Sequence, residues 1–324
     1  AWRTLFEAED YGPDPSVIIT QLGNANLKWE TTEQMDFGVD FSFFKGRFNG
    51  GFGYYSKETK DALFTTITPG STGYNRLIAN IGDTKNTGFE LELKGDVLRI
   101  NEFTWNLSLN VSKNKNTLTK IADDFKDENG FLTGFPGGGR LKEGSPIGLI
   151  YGYVAEGLFQ DQQIIDGLNT ASPTGTYQNS QTSPGDLRFK DLTGPDGVPD
   201  GRITNLDQEV IGDTQPDFFG GFNSTFYYKG FSLSTFFTFS VGNDIEAFGL
   251  ARGTNFASTF IGENKVTSIL DAWTPDNRDT DIPRLVYFDP NNNDRTSSHY
   301  VYDASYLRLK TLNFSYSFSK ETLL

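Results

Sequence analysis

Residues 89–111 read Phe89-Glu-Leu-Glu-Leu-Lys-Gly-Asp-Val-Leu-Arg-Ile-Asn-Glu-Phe-Thr-Trp-Asn-Leu-Ser-Leu-Asn-Val111. From Phe89 to Lys94, apolar residues alternate with charged residues. From Phe103 to Val111, apolar residues alternate with Thr, Asn and Ser. Successive side chains of a β-strand point to opposite faces, so each part is predicted to be a strand with one apolar and one polar face. Gly95 and Asp96 indicate the start of a short turn that extends to Asn101, and the stretch is therefore predicted to be an antiparallel hairpin.

The same alternation recurs elsewhere in the chain and predicts further strands. Within residues 33–44, every second side chain from Met35 to Phe43 is Met, Phe or Val, and Asp, Gly or Ser stands between them. Short turns are predicted at Lys45-Gly46 and Lys229-Gly230. The strands predicted outside the opening stretch are residues 33–44, a strand beginning at Phe48, and residues 218–228, 231–241 and 304–318.

The segments between these strands are predicted to be loops. Residues 1–30 lack sustained alternation and are interrupted by Pro13, Pro15 and Gly23. Residues 57–84 are mostly polar and are predicted to be a connection without strands. Residues 112–217 are predicted to be one long loop region.

Composition excludes several classes of function. The chain has 324 residues, no Cys and one His, so disulfides, thiolate metal sites and imidazole-based zinc sites are not expected. A formal net charge of −14 argues against nucleic acid as a partner. No apolar run approaches the roughly 18 residues of a membrane-spanning helix, but a spanning β-strand needs only about 9–11 residues.

The predicted connections alternate between short turns and long segments. Compact soluble domains mostly use short connections throughout, whereas outer-membrane barrels have short periplasmic turns and long extracellular loops. If every short turn is periplasmic, the hairpin of residues 218–241 must begin on the extracellular side. One further crossing at residues 149–159 would make it begin on the periplasmic side instead. We infer that residues 149–159 are an extended piece within one outer loop, which leaves seven membrane strands and makes residues 112–217 extracellular.

The predicted fold class is therefore all-β, an antiparallel transmembrane β-barrel section of about seven strands with long extracellular loops. Natural bacterial barrels have even strand numbers from eight upward, and an open sheet edge in lipid leaves backbone groups unsatisfied. The chain also starts and stops abruptly. We expect residues 1–324 to be a fragment of one barrel domain, with further strands supplied by other sequence.

A soluble β-sandwich is the alternative, because its strands also alternate between an apolar and a polar face. In that case the protein would be a secreted binding or adhesion protein with calcium holding a loop. The alternation of short and long connections favours the barrel, as does the crowding of Phe, Trp and Tyr on the apolar face.

The stretch Asp196-Gly-Val-Pro-Asp200-Gly-Arg202-Ile-Thr-Asn-Leu-Asp207 follows much of the spacing of a calcium-binding loop. Asp196, Asp200 and Asp207 would supply carboxylate oxygens and Arg202 its carbonyl oxygen, while the glycine after Asp200 permits a sharp turn. The third position is Val and the last is Asp rather than Glu, and Asp191 is a candidate replacement ligand. These five residues predict a structural Ca²⁺ site, with a solvated Asp/Gly-rich turn as the alternative.

No arrangement of residues indicates an enzyme. Glu90 and Glu92 share a strand face, which suits a wet barrel lumen better than general acid–base catalysis. His299 has no Ser and Asp partners that the sequence identifies, and it is expected in a loop. Several loop aromatics are candidates for stacking on sugars or holding peptides, with packing between loops as the alternative for each: Tyr74, Phe125, Phe131, Tyr151 and Phe256.

Several stretches, in order along almost the whole chain, resemble the SusC/RagA-type TonB-linked outer-membrane transporters of Bacteroidetes. Two of them resemble the starts of barrel strands in that family, and the acidic loop follows another. The stretches are Gly23-Asn-Ala-Asn-Leu-Lys-Trp-Glu30, residues 80–93 (Asn-Ile-Gly-Asp-Thr-Lys-Asn-Thr-Gly-Phe-Glu-Leu-Glu-Leu), Pro146-Ile-Gly-Leu-Ile-Tyr-Gly-Tyr153, Gly185-Asp-Leu-Arg-Phe-Lys-Asp191 with Val210-Ile-Gly-Asp213, Ala272-Trp-Thr-Pro275 and Asp303-Ala-Ser-Tyr-Leu-Arg-Leu-Lys310.

This resemblance implies a barrel of roughly 22 strands with an N-terminal plug. It further implies TonB-dependent import of glycan or peptide fragments across the outer membrane, powered by TonB–ExbB–ExbD, with a SusD-like surface lipoprotein closing the barrel from outside. The chain contains neither plug nor TonB box, so these functions would belong to a longer protein. Residues 194–199 look like a small insertion in the acidic loop relative to the family. The resemblance therefore does not by itself identify the calcium ligands.

Overall fold

The computed structural model describes residues 3–11, 14–67, 71, 76–127, 130–132, 140–256 and 262–318. In this part of the chain, strands predominate and two α-helices occur, α1 (Gln162–Ala171) and α2 (Phe248–Gly253). The strands are β1 (Leu5–Tyr11), β2 (Asp14–Gln21), β3 (Thr31–Phe43), β4 (Phe48–Ile67), β5 (Arg76–Ile100), β6 (Phe103–Ile121), β7 (Leu149–Tyr153), β8 (Ala155–Leu158), β9 (Leu187–Phe189), β10 (Gln208–Asp213), β11 (Phe218–Tyr228), β12 (Phe231–Val241), β13 (Asp244–Glu246), β14 (Val301–Asp303) and β15 (Tyr306–Tyr316).

Seven of these strands form one antiparallel sheet in the order β15-β12-β11-β6-β5-β4-β3. The prediction of seven sheet strands is confirmed. Strands β7 and β8 pair with β10 and β9 instead, so the inference that residues 149–159 are not part of the sheet is also confirmed. Within the described residues the sheet does not close on itself, and β3 and β15 are its edges.

The register of the sheet places apolar side chains of neighbouring strands beside one another on one face. One row runs from Val39 through Phe52 to Leu91. In another row Phe222 faces Phe237, and their rings stack with centroids 4.8 Å apart. This apolar face comprises Met35, Phe37, Val39, Phe41, Phe43, Phe48, Phe52, Tyr54, Phe89, Leu91, Leu93, Leu98, Ile100, Phe103, Trp105, Leu107, Leu109, Val111, Phe222, Phe226, Tyr228, Phe231, Leu233, Phe237, Phe239, Leu307, Leu309, Leu312, Phe314 and Tyr316.

The apolar face is exposed rather than packed against a second sheet. Phe37 is 61% exposed and Phe314 is 67% exposed. The buried apolar clusters found among the described residues lie elsewhere, one of them around Ile81 and Leu118 near the ends of β5 and β6 that are remote from their turn. A soluble sandwich would bury such a face, so the sandwich alternative is wrong.

The turn of the opening hairpin lies at Asn101 and Glu102, at the far end of the predicted turn of residues 95–101, and the prediction that it begins at Gly95 and Asp96 is wrong. Both of those residues are part of β5. A Cβ atom on Gly95 would lie 2.6 Å from a ring carbon of Phe48, so this glycine makes room for an aromatic ring on the neighbouring strand. Asn101 has a φ of 51°, in the left-handed region that Asn tolerates better than most residues.

Three strands are longer than the alternation predicts. Most of residues 57–84 is strand, because β4 continues to Ile67 and β5 begins at Arg76, and residues 112–121 still belong to β6. A spanning strand needs about 9–11 residues, whereas β5 has 25. These strands therefore continue beyond the apolar face, where an alternating pattern is not required.

The prediction that residues 1–30 form only a loop is also wrong. Strands β1 and β2 pair as an antiparallel hairpin that forms its own two-stranded sheet. Pro15 lies within β2 opposite Asp10, so the proline does not interrupt this strand. A short strand with a proline in it gives little periodic signal, which explains why the hairpin is missed.

By its contacts the chain divides into two compact units. The first contains the seven-stranded sheet and comprises Ala1–Leu149, Gln215–Asn243 and Ala304–Leu324. The second, called the loop unit here, comprises Ile150–Thr214 and Asp244–Asp303. None of the described helices has the length and apolar character needed to cross a membrane.

Leu91→Arg tests whether the apolar face contacts hydrocarbon. In the full-length protein that contains this chain, we expect the substitution to destabilise the folded barrel by about 2–4 kcal/mol, because an arginine near the bilayer midplane must be taken out of water. Glu90→Arg, one residue away on the opposite face, is the matched control and should cost much less. Folding titrations in detergent or lipid vesicles measure both, and equal costs for the two variants would contradict the assignment.

Candidate functional site

The face of the sheet opposite to the apolar face is polar, and a trough of about 720 Å³ lies against it. Hydrogen bonds order several of its side chains: Ser42 Oγ donates to Asn49 Oδ1 at 2.9 Å, and the backbone N–H of Gly221 donates to Asn110 Oδ1 at 2.7 Å. Such a surface suits water and polar solutes and is costly to place against hydrocarbon. Its polar lining residues are Asp40, Ser42, Asn49, Glu92, Lys94, Ser108, Asn110 and Asn223.

The polar face carries charged side chains of both signs, and its carboxylates include two pairs, one on β3 and one on β5. Carboxylates project from β3 at Asp36 and Asp40 and from β5 at Glu90 and Glu92, where Lys94 follows them. Strands β6, β11 and β12 contribute mainly Asn, Ser and Thr to the same face. Glu90 and Glu92 share this face as predicted, and both are exposed.

Asp186 is the centre of a buried polar network in the loop unit, and it is 0% exposed. Arg284 donates from Nε to Asp186 Oδ1 at 2.8 Å and from Nη2 to Oδ2 at 3.1 Å. Asn293 Nδ2 donates to Oδ1 at 3.1 Å and the backbone N–H of Ser183 donates to Oδ2 at 2.8 Å. A buried carboxylate is tolerated when it is paired and hydrogen-bonded, and these donors meet that requirement.

The buried Asn293 connects Asp186 to a second buried carboxylate, Asp289, and the buried Asn291 supports Asn293. Asn293 Nδ2 also donates to Asp289 Oδ1 at 2.8 Å, and Asn291 Nδ2 donates to Asn293 Oδ1 at 2.8 Å. Burial raises the pKa of the Asp289 carboxyl, although a hydrogen bond of 2.7 Å from Asn255 Nδ2 favours its charged form. The network therefore fixes two segments of the loop unit that are far apart in the sequence.

The stretches that resemble known transporters contribute to the packing of the loop unit. Leu187 and Phe189, from the stretch of residues 185–191, are 0% exposed. Gly185 has a φ of +90°, and a Cβ there would lie 2.4 Å from a ring carbon of Trp273, which comes from another of these stretches. Arg295 lies over the Phe189 ring, with its guanidinium carbon 4.6 Å from the centroid, and burial lowers the pKa of this arginine.

The acidic loop folds around backbone hydrogen bonds to three of the five predicted calcium ligands, Asp191, Asp200 and Asp207. Asp207 is fully buried, and it accepts the backbone N–H groups of Leu192 at 2.8 Å, Thr193 at 3.0 Å and Thr204 at 2.7 Å. Asp191 Oδ2 accepts the backbone N–H of Gly201 at 2.6 Å. Burial raises the pKa of the Asp191 carboxyl, and the neighbouring carboxylates of Asp207 and Asp200 raise it further, against the backbone hydrogen bonds that lower it.

The predicted ligands do not complete a cation site. Asp200 Oδ1 accepts the backbone N–H of Arg202 at 3.0 Å, and Asp196 and Arg202 are exposed. Gly201 has the positive φ, 77°, that the sharp turn requires. In the part of the chain that the structure describes, no three His, Cys, Asp or Glu side chains come close enough together to hold a metal ion. The residues as arranged do not fit the predicted calcium loop, and calcium here stays a prediction.

Other candidate residues lie in separate places. His299 lies in a single 3₁₀ turn, as expected of a loop residue, and burial lowers its pKa. Phe256 stacks obliquely on Tyr287 with ring centroids 5.7 Å apart, and Phe125 packs on the cluster around Ile81. Tyr151 lies in β7 and Phe131 contacts the Arg140 guanidinium, while Tyr74 lies outside the described residues.

Sequence reasoning misses the residues that hold the loop unit together. Arg284, Asn291 and Asn293 are not candidates by any motif. The groups that they bind, the Asp186 carboxylate and the neighbouring Leu187 carbonyl, lie about 100 residues away, and loop contacts have no fixed spacing. The run Asp289-Pro-Asn-Asn-Asn-Asp-Arg295 is the one available signal, since so many amide and carboxylate groups in a segment favour local side-chain hydrogen bonds.

Known proteins resemble this chain over nearly its whole length. The family profile described as "TonB dependent receptor-like, beta-barrel" matches residues 1–318. TonB-dependent receptor P3 of Formosa agariphila is 35% identical over 313 residues, which cover 95% of this chain and 29% of that protein. TonB-dependent receptor SusC of Bacteroides thetaiotaomicron is 26% identical over 299 residues, which cover 91% of this chain and 27% of that protein.

Solved structures show the same fold. The structure of the RagAB peptide transporter superposes with a TM-score of 0.69 at 24% identity, covering 97% of this chain and 32% of that chain. The chain thus spans about three tenths of the length of the proteins it matches. The match of one β-barrel family over 318 of the 324 residues, together with the seven-stranded sheet, establishes the family. This chain belongs to the TonB-dependent receptor-like family of outer-membrane β-barrel proteins.

Proposed function

We propose that the protein containing this chain imports oligomeric nutrients, glycan or peptide fragments, across the outer membrane in a TonB-dependent manner. The chain would form part of the barrel wall, with its apolar face toward lipid and its polar face toward the lumen. The single observation that supports this most is the sheet itself, in which one face is exposed and apolar and the other is polar and lines a trough. Nothing in the sequence indicates catalysis, and the family consists of transporters rather than enzymes.

The loop unit is the proposed contact region for cargo and for a partner. SusC and the RagAB peptide transporter are similar to this chain, which supports a SusD-like surface lipoprotein as partner and TonB–ExbB–ExbD as the energy source. A loop unit that binds cargo must keep its shape while exposed to water. The hydrogen bonds among Asp186, Arg284 and Asn293 supply that rigidity.

The transport proposal is tested by uptake in living cells. A strain lacking the full-length gene should lose uptake of members of a panel of fluorescent oligosaccharides and oligopeptides, and a strain lacking TonB should lose the same members. A tagged full-length protein should also co-purify with a surface lipoprotein. Unchanged uptake of the whole panel in both strains, together with a barrel that purifies alone, would refute the proposal.

Asp186→Ala tests whether the loop unit can lose its order while the barrel stays assembled. Removing this carboxylate leaves Arg284 without its buried partner, which typically costs about 3–5 kcal/mol. We expect uptake to fall and the loops to become sensitive to added protease, while the barrel still assembles and resists heat in detergent. Gln163→Ala, at an exposed position of α1 in the same unit, is the control and should retain uptake. Full uptake by Asp186→Ala would show that the network does not support transport.

Asp207→Ala tests what holds the acidic loop together. The substitution removes the acceptor for three backbone N–H groups, so proteolysis between residues 189 and 211 should increase several-fold while the sheet stays intact. Cleavage of the wild type should be the same with and without a calcium chelator if hydrogen bonds alone hold the loop. Protection that depends on calcium, and that Asp200→Ala abolishes, would instead support the predicted metal site.

A further inference from the structure

A cleft of about 450 Å³ lies between two neighbouring short turns of the sheet. One turn joins β5 to β6, the other joins β11 to β12, and they are adjacent because β6 pairs with β11. The strands that contribute lining residues, β5, β6 and β11, pair with one another in this order. Its lining residues are Ile100, Asn101, Glu102, Phe103, Tyr228 and Lys229.

The cleft has an apolar wall that continues the apolar face of the sheet. Phe103 is the direct cross-strand neighbour of both Ile100 and Tyr228. Ile100 is 55% exposed and Tyr228 is 51% exposed, so neither is covered by protein. In this family of barrels the short turns are periplasmic and aromatic residues border the apolar band. The wall therefore lies where the acyl chains of the inner leaflet end and their headgroups begin.

The rim of the cleft carries one positive and one negative charge. Lys229 Nζ lies 3.6 Å from Glu102 Oε2, and the two side chains are 57% and 64% exposed. An exposed pair of this kind contributes little to stability and its members remain available to other partners. Lys229 Nζ also lies 5.5 Å from the centroid of the Tyr228 ring, which keeps the ammonium group above the apolar wall.

We propose that this cleft binds a zwitterionic phospholipid of the periplasmic leaflet, of the phosphatidylethanolamine type. The acyl chains would lie along Ile100, Phe103 and Tyr228, the phosphate would accept hydrogen bonds from Lys229, and the lipid ammonium would donate to Glu102. An anionic headgroup without an ammonium group could still bind Lys229 through its phosphate, but its negative charge would lie beside Glu102 with no ammonium group to offset the repulsion. The charge pair therefore selects a headgroup that also carries one positive and one negative charge. The proposal depends on the barrel orientation and not on which nutrient the protein carries.

Native mass spectrometry tests this on the full-length protein released from nanodiscs containing equal amounts of phosphatidylethanolamine and phosphatidylglycerol. The variant is Lys229→Asn, because Lys229 has a φ of 47° and Asn tolerates that conformation. The control is Lys45→Asn, since Lys45 is an exposed turn residue at the same end of the sheet, has a φ of 58° and does not line the cleft. Glu102→Gln is a second variant in case Lys229→Asn does not assemble.

The wild type and Lys45→Asn should retain phosphatidylethanolamine in preference to phosphatidylglycerol. Lys229→Asn should lose about fivefold in retention, which corresponds to roughly 1 kcal/mol for one lysine near a membrane surface. Glu102→Gln should shift the preference toward phosphatidylglycerol. Equal retention by the wild type and both cleft variants would overturn the proposal, as would a wild type that retains no lipid or prefers phosphatidylglycerol.

Discussion

A polypeptide in hydrocarbon must pair its backbone N–H and C=O groups internally, because no water is there to accept or donate hydrogen bonds. The antiparallel ladder that joins the seven strands meets this requirement for every strand between its two edges. The ladder in turn fixes the side chains at a period of two, so a strand between lipid and water must alternate apolar and polar residues. That one constraint explains why Phe52 and its cross-strand neighbour Leu91 face lipid. It also explains why Glu90 and Glu92, on the opposite face of β5, face the lumen.

The same constraint explains which parts of the fold are predictable from the sequence. Where strands cross the apolar band, as in β6 and β12, alternation is forced and the prediction is right. Outside the band alternation is no longer required, and the parts of β4 and β5 that continue beyond the apolar face resemble loops in sequence. The turn is misplaced for a different reason, since Gly95 serves the packing of Phe48 and not a change of direction.

The loop unit depends on contacts that no local pattern encodes. Asp186 and Arg284 form their ion pair across a sequence separation of 98 residues. The resemblance to known transporters identifies the stretch that carries Asp186, but it does not identify the partner residues. The acidic loop shows the limit of spacing as evidence, because its spacing resembles a calcium site while Asp207 accepts hydrogen bonds from backbone N–H groups. Spacing alone does not determine whether a carboxylate faces a cation or its own backbone.

The most direct test of the account measures the environment of successive residues along one strand. This chain contains no cysteine. In the full-length protein, with any cysteine outside this chain replaced by serine, single cysteines can be placed at each position from Trp105 to Val111 and spin-labelled in lipid vesicles. Collisions with oxygen, which concentrates in hydrocarbon, should be most frequent at odd positions, and collisions with a water-soluble nickel complex at even positions. Accessibility that does not change with a period of two along β6 would contradict the placement of this sheet between lipid and an aqueous lumen.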